Sequence, residues 1–159
     1  MLMDPIPDTI HTINLTKELQ IAAPVEITFE AVLEELGPGS VLPDGSPFPM
    51  TIEPWPGGRW FRDHGNNTGH LWAHVQVIKP PPHERPLLEL CGPMFMSYPA
   101  INHVQYRLIP DGAGTLLRIT HRAVGLIPAA DREGVHEGWN HGLPRIRELA
   151  ERRVKESSR

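Results

Sequence analysis

The chain has 159 residues, of which 40% are apolar, and its formal net charge is −4 with the histidines neutral. That length suffices for one domain with a core, while the acidic balance and the lack of a basic run argue against nucleic acid as a partner. The single cysteine, Cys91, excludes an internal disulfide and is typical of a reducing compartment. We therefore expect a cytoplasmic protein that has neither a signal peptide nor a membrane anchor.

The N-terminal third predicts an arm, a strand and a helix. Residues 1–11 have no hydrophobic period and form a predicted flexible arm, followed by one domain over 12–154 and a tail over 155–159. Apolar residues alternate over 12–21, which indicates a half-buried strand. A helix then opens near Pro24 and ends at Gly37, with Val25, Phe29, Val32, Leu33 and Leu36 as its apolar face. The loop over 37–49 is rich in glycine and proline.

The middle of the chain predicts short strands at 50–53, 59–64, 71–77 and 87–91, and residues 94–98 are expected to prolong the last. The apolar face of 71–77 is predicted as Leu71, Ala73, Val75 and Val77. Residues 101–109 and 115–124 flank a turn at 111–114 and indicate a hairpin. Its predicted core face holds Val104, Tyr106, Leu108, Leu117, Ile119 and His121.

Residues 131–154 carry the clearest helical period, with a predicted buried stripe of Val135, Trp139, Leu143, Ile146 and Leu149 or Ala150. Helix propensity is poor, because Gly134, Gly138 and Gly142 each cost about 1 kcal/mol and Pro144 costs about 3 kcal/mol relative to alanine. Pro144 cannot donate to the carbonyl of Asn140, so we expect a bend or break there. The glycine spacing predicts a bare flank beside Trp139.

This order of elements, in which helices at the two chain ends cover one face of a meandering antiparallel sheet, predicts an α+β domain. The residues also resemble a known family. The stretches 21–29, 54–60, 69–81, 112–117 and 138–143 are similar, in order and spacing, to the START-like (SRPBCC) superfamily, in the branch named after the heat-shock ATPase activator. The resemblance implies a helix-grip fold: a curved antiparallel sheet wrapped around a long C-terminal helix, with an apolar cavity between them. The loop 37–49 and Pro144 depart from the family pattern and border the expected cavity mouth.

Metal and cofactor sites are not predicted. His136 and His141 are five residues apart on a helix, about 140° around its axis, and cannot share one ion. His70 and His74 lie about 13 Å apart along a strand. Cys91 lacks a partner for nucleophilic chemistry and is read as a buried thiol.

The candidate ligand-binding residues are Trp139, Tyr106, His121, Gly138, Trp60 and Trp72. Tyr106 and His121 would place polar groups on an apolar wall, which is how a cavity orients a ligand. Hydrogen bonding to nearby backbone is the competing interpretation for both. The sequence does not determine which face of the sheet Trp60 and Trp72 occupy.

Three functions compete. The favoured one is the binding of a small apolar or aromatic molecule between the sheet and the C-terminal helix by a monomer or homodimer, without bond-breaking chemistry. The second is a cyclase- or hydrolase-type enzyme that uses His121 and Tyr106 as acid–base groups. The third is a co-chaperone-like protein-interaction domain.

Overall fold

The computed structural model describes residues 5–158. Part of the predicted arm, residues 1–4, and the end of the predicted tail, residue 159, lie outside the described range. The elements are β1 (His11–Ile21), α1 (Val25–Leu36), β2 (Thr51–Ile52), β3 (Arg59–Gly65), β4 (Thr68–Lys79), β5 (Leu87–Gly92), β6 (Ala100–Asp111), β7 (Gly114–Gly125) and α2 (Ala129–Ser157).

All neighbouring strands pair antiparallel in one seven-stranded sheet of order β1-β7-β6-β5-β4-β3-β2. The two helices pack against each other and against one face of the sheet, and α2 is 29 residues long. This is the predicted α+β helix-grip architecture, and that prediction is confirmed. No helix within residues 5–158 is both long enough and apolar enough to cross a membrane.

The hairpin of β6 and β7 determines which side chains face the helices. Asp111 pairs with Gly114 across a two-residue turn, in which Gly112 has a φ of 59°. From that turn the register places Tyr106 opposite Ile119 and Val104 opposite His121, all four of them buried. The predicted core face of the hairpin is therefore the observed one.

Two predictions for the middle strands are wrong. Leu71 is 45% exposed although we expected it on the core face. The cause is a register shift, because Trp60 pairs with Ala73 whereas Phe61 pairs with Leu71, which leaves Trp72 as an extra residue. Residues 94–98 do not prolong β5, which ends at Gly92 just before Pro93. Cys91 is only partly buried.

The long helix corrects the expectations for its proline and for its N-terminal half. Helix α2 continues through Pro144, so the expected break is absent, while the expected bend stays a prediction. Leu143 and Ile146 are buried as predicted, but Val135 and Trp139 are only partly buried at the edge of the core. The C-terminal half of α2 is thus held by the core and by α1, while its N-terminal half lies near the surface.

Candidate functional site

A chain of hydrogen bonds links α2 to the sheet through Trp139 and His121. The indole Nε1 of Trp139 donates to Nδ1 of His121 at 2.9 Å, and His121 Nε2 lies 2.7 Å from Oδ1 of Asn102. The amide nitrogen of Asn102 in turn donates to the Pro93 carbonyl at 3.2 Å. Asn102 reaches His121 because it lies two residues from Val104, the direct partner of His121 across the hairpin.

This chain defines the tautomer of His121. The indole can only donate, so Nδ1 must be the unprotonated nitrogen and Nε2 must carry the proton given to Asn102. Burial lowers the pKa of His121 from 6.5 to about 4, which keeps the ring neutral. Both ring nitrogens are therefore used inside the protein.

Tyr106 lies beside Trp139 on the same inner face. The ring centroids of the two residues are 5.7 Å apart with an edge-on geometry, and those of His121 and Trp139 are 6.0 Å apart. Tyr106 is buried, and burial together with the charge of Glu35 raises the pKa of its hydroxyl well above the ordinary value. The structure thus brings together three of the predicted site residues: Trp139, Tyr106 and His121.

Glu35 belongs to this region although its sequence position was not singled out. Burial raises the pKa of its carboxyl to about 7, and the positive charge of Arg145 acts in the opposite direction. Its Oε1 lies 3.8 Å from the point that a Cβ on Gly142 would occupy, an ordinary van der Waals distance, so α1 and α2 pack closely here. A readable signal existed: Glu35 lies three residues after the buried Val32 and four after the buried Ala31, so it adjoins the buried stripe of α1.

Arg145 lines an open pocket and also acts electrostatically on Glu35. Its Nη1 donates to Glu148 at 3.1 Å and its Nη2 donates to the Gly39 carbonyl at 3.2 Å, while its Nε is buried without a partner in the described chain. The pocket has a volume of about 440 Å³ and is lined by Val41, Leu42, Pro43, Gly45, His141, Pro144, Arg145 and Glu148. It therefore opens between α2 and the loop 37–49, the two segments that depart from the family pattern.

Gly138 lies on the same side of α2 as two of the pocket-lining residues, but it does not line the pocket itself. It precedes His141 by three residues and Arg145 by seven, so the three positions share one side of the helix. Gly138 is exposed, and a Cβ at this position, or at Gly134 one turn earlier, would have no atom within 4 Å. The flank beside Trp139 is bare, as the glycine spacing predicted.

Trp60 and Trp72 form a separate aromatic cluster around Phe95. The ring centroid of Phe95 is 5.7 Å from that of Trp60 and 4.6 Å from that of Trp72. Trp60 is fixed by its indole, which donates to the Leu36 carbonyl at 2.7 Å, whereas the buried indole nitrogen of Trp72 has no partner within residues 5–158. Within residues 5–158, neither tryptophan ring packs against the ring of Trp139 or Tyr106, so the two groups of aromatic rings are separate.

Comparison with known proteins decides the family. A family profile described as "Activator of Hsp90 ATPase homolog 1-like protein" matches residues 45–151, more than half of the chain. The chain belongs to this family. The resemblance read from the sequence is thereby confirmed. No curated protein matches the sequence significantly.

Solved structures share the fold of this family member at low sequence identity. An uncharacterized protein from Rhizobium leguminosarum is 18% identical with a TM-score of 0.66, and the match covers 91% of this chain and 97% of that one. The ZhuI aromatase/cyclase from Streptomyces sp. R1128 is 20% identical with a TM-score of 0.63, covering 91% and 96%. A protein of unknown function from Staphylococcus aureus is 10% identical with a TM-score of 0.62, covering 92% and 98%. The family to which the chain belongs typically binds hydrophobic ligands.

Proposed function

We propose that this family member binds a small apolar or aromatic molecule between α2 and the rest of the domain, without breaking bonds in it. The ligand enters between the loop 37–49 and the α2 flank formed by Gly138, His141 and Arg145. Its apolar body then packs towards Trp139 and Tyr106.

The observation that carries this proposal is the pocket of about 440 Å³ beside a bare helix flank. Its volume is within the range of sites for small organic molecules. Its loop side offers the apolar surfaces of Val41, Leu42 and Pro43. A fully packed interface between α2 and the loop 37–49 would leave no such space. The exposed glycines on this flank lower helix stability and make no packing contacts in exchange.

The enzyme alternative finds less support in the geometry of His121. A general base needs a free nitrogen and a pKa near the working pH. Both nitrogens of His121 are hydrogen-bonded inside the protein, and its pKa is lowered to about 4. The aromatase/cyclase activity named for ZhuI supports a ligand of aromatic character only as an analogy of fold.

The test is a titration with N-phenyl-1-naphthylamine, a neutral apolar probe whose fluorescence rises on burial. We expect wild type to bind it with a dissociation constant of micromolar or below, about −8 kcal/mol. Gly138→Leu should weaken binding, because the new side chain occupies the flank beside the pocket. It should not unfold the domain, since leucine improves helix propensity by about 1 kcal/mol.

Gly134→Leu is the matched control. It is the same change on the same flank, one turn farther from the pocket, and it raises helix propensity equally. We expect it to bind the probe as wild type does. If wild type gives no saturable fluorescence, or if both leucine variants bind like wild type, the proposed site is wrong.

A further inference from the structure

We infer that the outer face of the β6–β7 hairpin docks an acidic helical segment of another protein, in which carboxylates are flanked by apolar side chains. This goes beyond the proposed ligand binding, because it uses the side of the sheet that faces away from the helices. The residues of this face form five cross-strand pairs, which we call the outer stripe: Ile101 with Val124, His103 with Arg122, Gln105 with Thr120, Arg107 with Arg118, and Ile109 with Leu116. None of these residues is buried.

The strand register places basic side chains directly opposite each other in the outer stripe. Arg107 pairs with Arg118, and Arg122 pairs with His103. Side chains at such positions have Cβ atoms about 4.5–5.5 Å apart, so two facing guanidinium groups lower the stability of the sheet. Within residues 5–158, Arg107 has no ion pair or side-chain hydrogen bond that would offset this repulsion. A carboxylate from a partner would remove it, since the planar guanidinium group matches carboxylate geometry.

The protein itself neutralises the other two arginines of the outer stripe only weakly. Nε of Arg118 lies 3.5 Å from Oε1 of Glu18, and the two side chains are 39% and 46% exposed. An ion pair this exposed contributes little. Nε of Arg122 donates to Oδ1 of Asn14 at 3.4 Å, and this acceptor carries no charge. The outer stripe therefore keeps its positive charge on a chain whose net charge is −4.

Glutamates on both sides limit the partner to a narrow line of negative charge. Glu18 on β1 borders the outer stripe on one side, and Glu89 on β5, held by His103 at 3.2 Å and Gln105 at 2.9 Å, borders it on the other. The strands β1 and β5 are three strand spacings apart, about 14 Å, which leaves room for a helix about 10–12 Å wide. A membrane surface or a nucleic-acid backbone would bring phosphates against both glutamates, and the stripe has no aromatic side chain for base stacking. The charges therefore favour a single polypeptide segment.

The two ends of the outer stripe are apolar. Ile101 is 59% exposed and Val124 is 47% exposed, while Ile109 and Leu116 at the other end are half-buried. From one end to the other the stripe extends for about 27 Å at about 3.4 Å per residue, the length of a helix of about 18 residues. The partner that fits is an acidic helix with apolar residues at both ends of its contacting face.

Fluorescence anisotropy with a designed peptide tests the inference. The probe is a fluorescein-labelled helical peptide of about 18 residues, with glutamates in the middle of one face, leucines at both ends of that face and alanine elsewhere. A comparison peptide has glutamine in place of every glutamate. We expect wild type to bind the glutamate peptide about tenfold more tightly than the glutamine peptide at low salt. Most of this difference should disappear at high salt, which screens exposed charges.

Arginine variants assign the binding to the outer stripe. Arg107→Gln and Arg122→Gln should each weaken binding of the glutamate peptide about threefold to tenfold, because each removes one charge-assisted contact. Arg85→Gln, in the loop between β4 and β5, removes the same charge from an exposed position elsewhere and should bind the peptide as wild type does. Arg107→Gln should not lower the midpoint of thermal unfolding, since it removes the repulsion from Arg118, so its weaker binding would not result from unfolding.

The inference is overturned if the glutamate peptide does not bind, if the two peptides bind equally, or if Arg85→Gln weakens binding as much as Arg107→Gln does. It is also overturned if phosphatidylserine vesicles or a single-stranded oligonucleotide bind wild type more tightly than the glutamate peptide and lose this binding in Arg107→Gln. Arg107→Gln should bind N-phenyl-1-naphthylamine as wild type does, so a failure of the docking surface leaves the ligand-binding proposal standing.

Discussion

The indole nitrogen of Trp139 donates a hydrogen bond of 2.9 Å to Nδ1 of His121, and this bond exists only while the imidazole is neutral. Protonation of Nδ1 would replace the acceptor with a second donor facing the indole N–H. The packing of the N-terminal half of α2 on the sheet is therefore coupled to the charge of one buried histidine.

His121 should make the domain less stable at low pH. Its folded-state pKa is about 4 and its ordinary value is 6.5, so between these values the unfolded state binds more protons. The free energy of unfolding should then fall as the pH drops from about 6.5 to 4, by up to about 3 kcal/mol from this residue. His121→Gln can still accept from Trp139 and donate to Asn102, but it cannot titrate. Urea unfolding at several pH values should show that the free energy of unfolding of the variant rises relative to that of wild type as the pH falls below 6.5. A constant difference between the two free energies would contradict this prediction.

Glu35 should act in the opposite direction. Its pKa is raised from 4.5 to about 7, so the folded state binds more protons in that window and stability is lost as the pH rises through it. Glu35→Gln removes this loss. The free energy of unfolding of the variant should therefore rise relative to that of wild type as the pH increases from 4.5 to 7, and the difference should stay constant above pH 7. Because the two windows overlap with opposite signs, wild type alone should show only a shallow pH profile, and the single variants are needed to resolve it. Parallel profiles for wild type and Glu35→Gln would show that the carboxyl is not buried in solution.

Pro144 offers a third test, because it lies inside α2 and also lines the pocket. Pro144→Ala restores the hydrogen bond to the Asn140 carbonyl and should raise the free energy of unfolding by roughly 1–3 kcal/mol. It should also change the affinity for N-phenyl-1-naphthylamine, since it reshapes one wall of the pocket. Pro43→Ala alters the opposite wall without restoring a helix bond, so it should change affinity without the gain in stability. Unchanged stability in Pro144→Ala would mean that the helix already relaxes around the proline.

The sequence predicted the architecture well because its signals are local. The alternation in β6 and β7 and the turn at Gly112 determine the register of the hairpin, and the period of α2 identifies its buried residues Leu143 and Ile146. The failures arise where tertiary packing overrides local pattern. Leu71 is exposed because the extra residue Trp72 shifts the strand, and no feature of the alternation announces this shift.

The candidate site was predicted only in part, for a related reason. Trp139, Tyr106 and His121 could be assigned to facing surfaces from their phase in each element. The hydrogen bonds of His121 could not be predicted in the same way, because one of them goes to Asn102, an inward-facing polar residue two positions from Val104 whose place on this face was readable but unused. Arg145 and Glu35 lie on different helices, and no pattern along the chain predicts that these helices pack together there. The packing of α1 against α2 brings Oε1 of Glu35 near Gly142 and puts its carboxyl group within electrostatic range of Arg145.

The central claim is that a ligand occupies the space beside Trp139. The most direct measurement is a two-dimensional NMR titration of the four tryptophan indole N–H signals with N-phenyl-1-naphthylamine, with the Trp139 signal assigned from Trp139→Phe. We predict a saturable shift of the Trp139 signal and no shift of Trp55, which is 54% exposed in the turn between β2 and β3. A Trp139 signal that stays in place while the probe binds, or equal small shifts of all four signals, would contradict the claim.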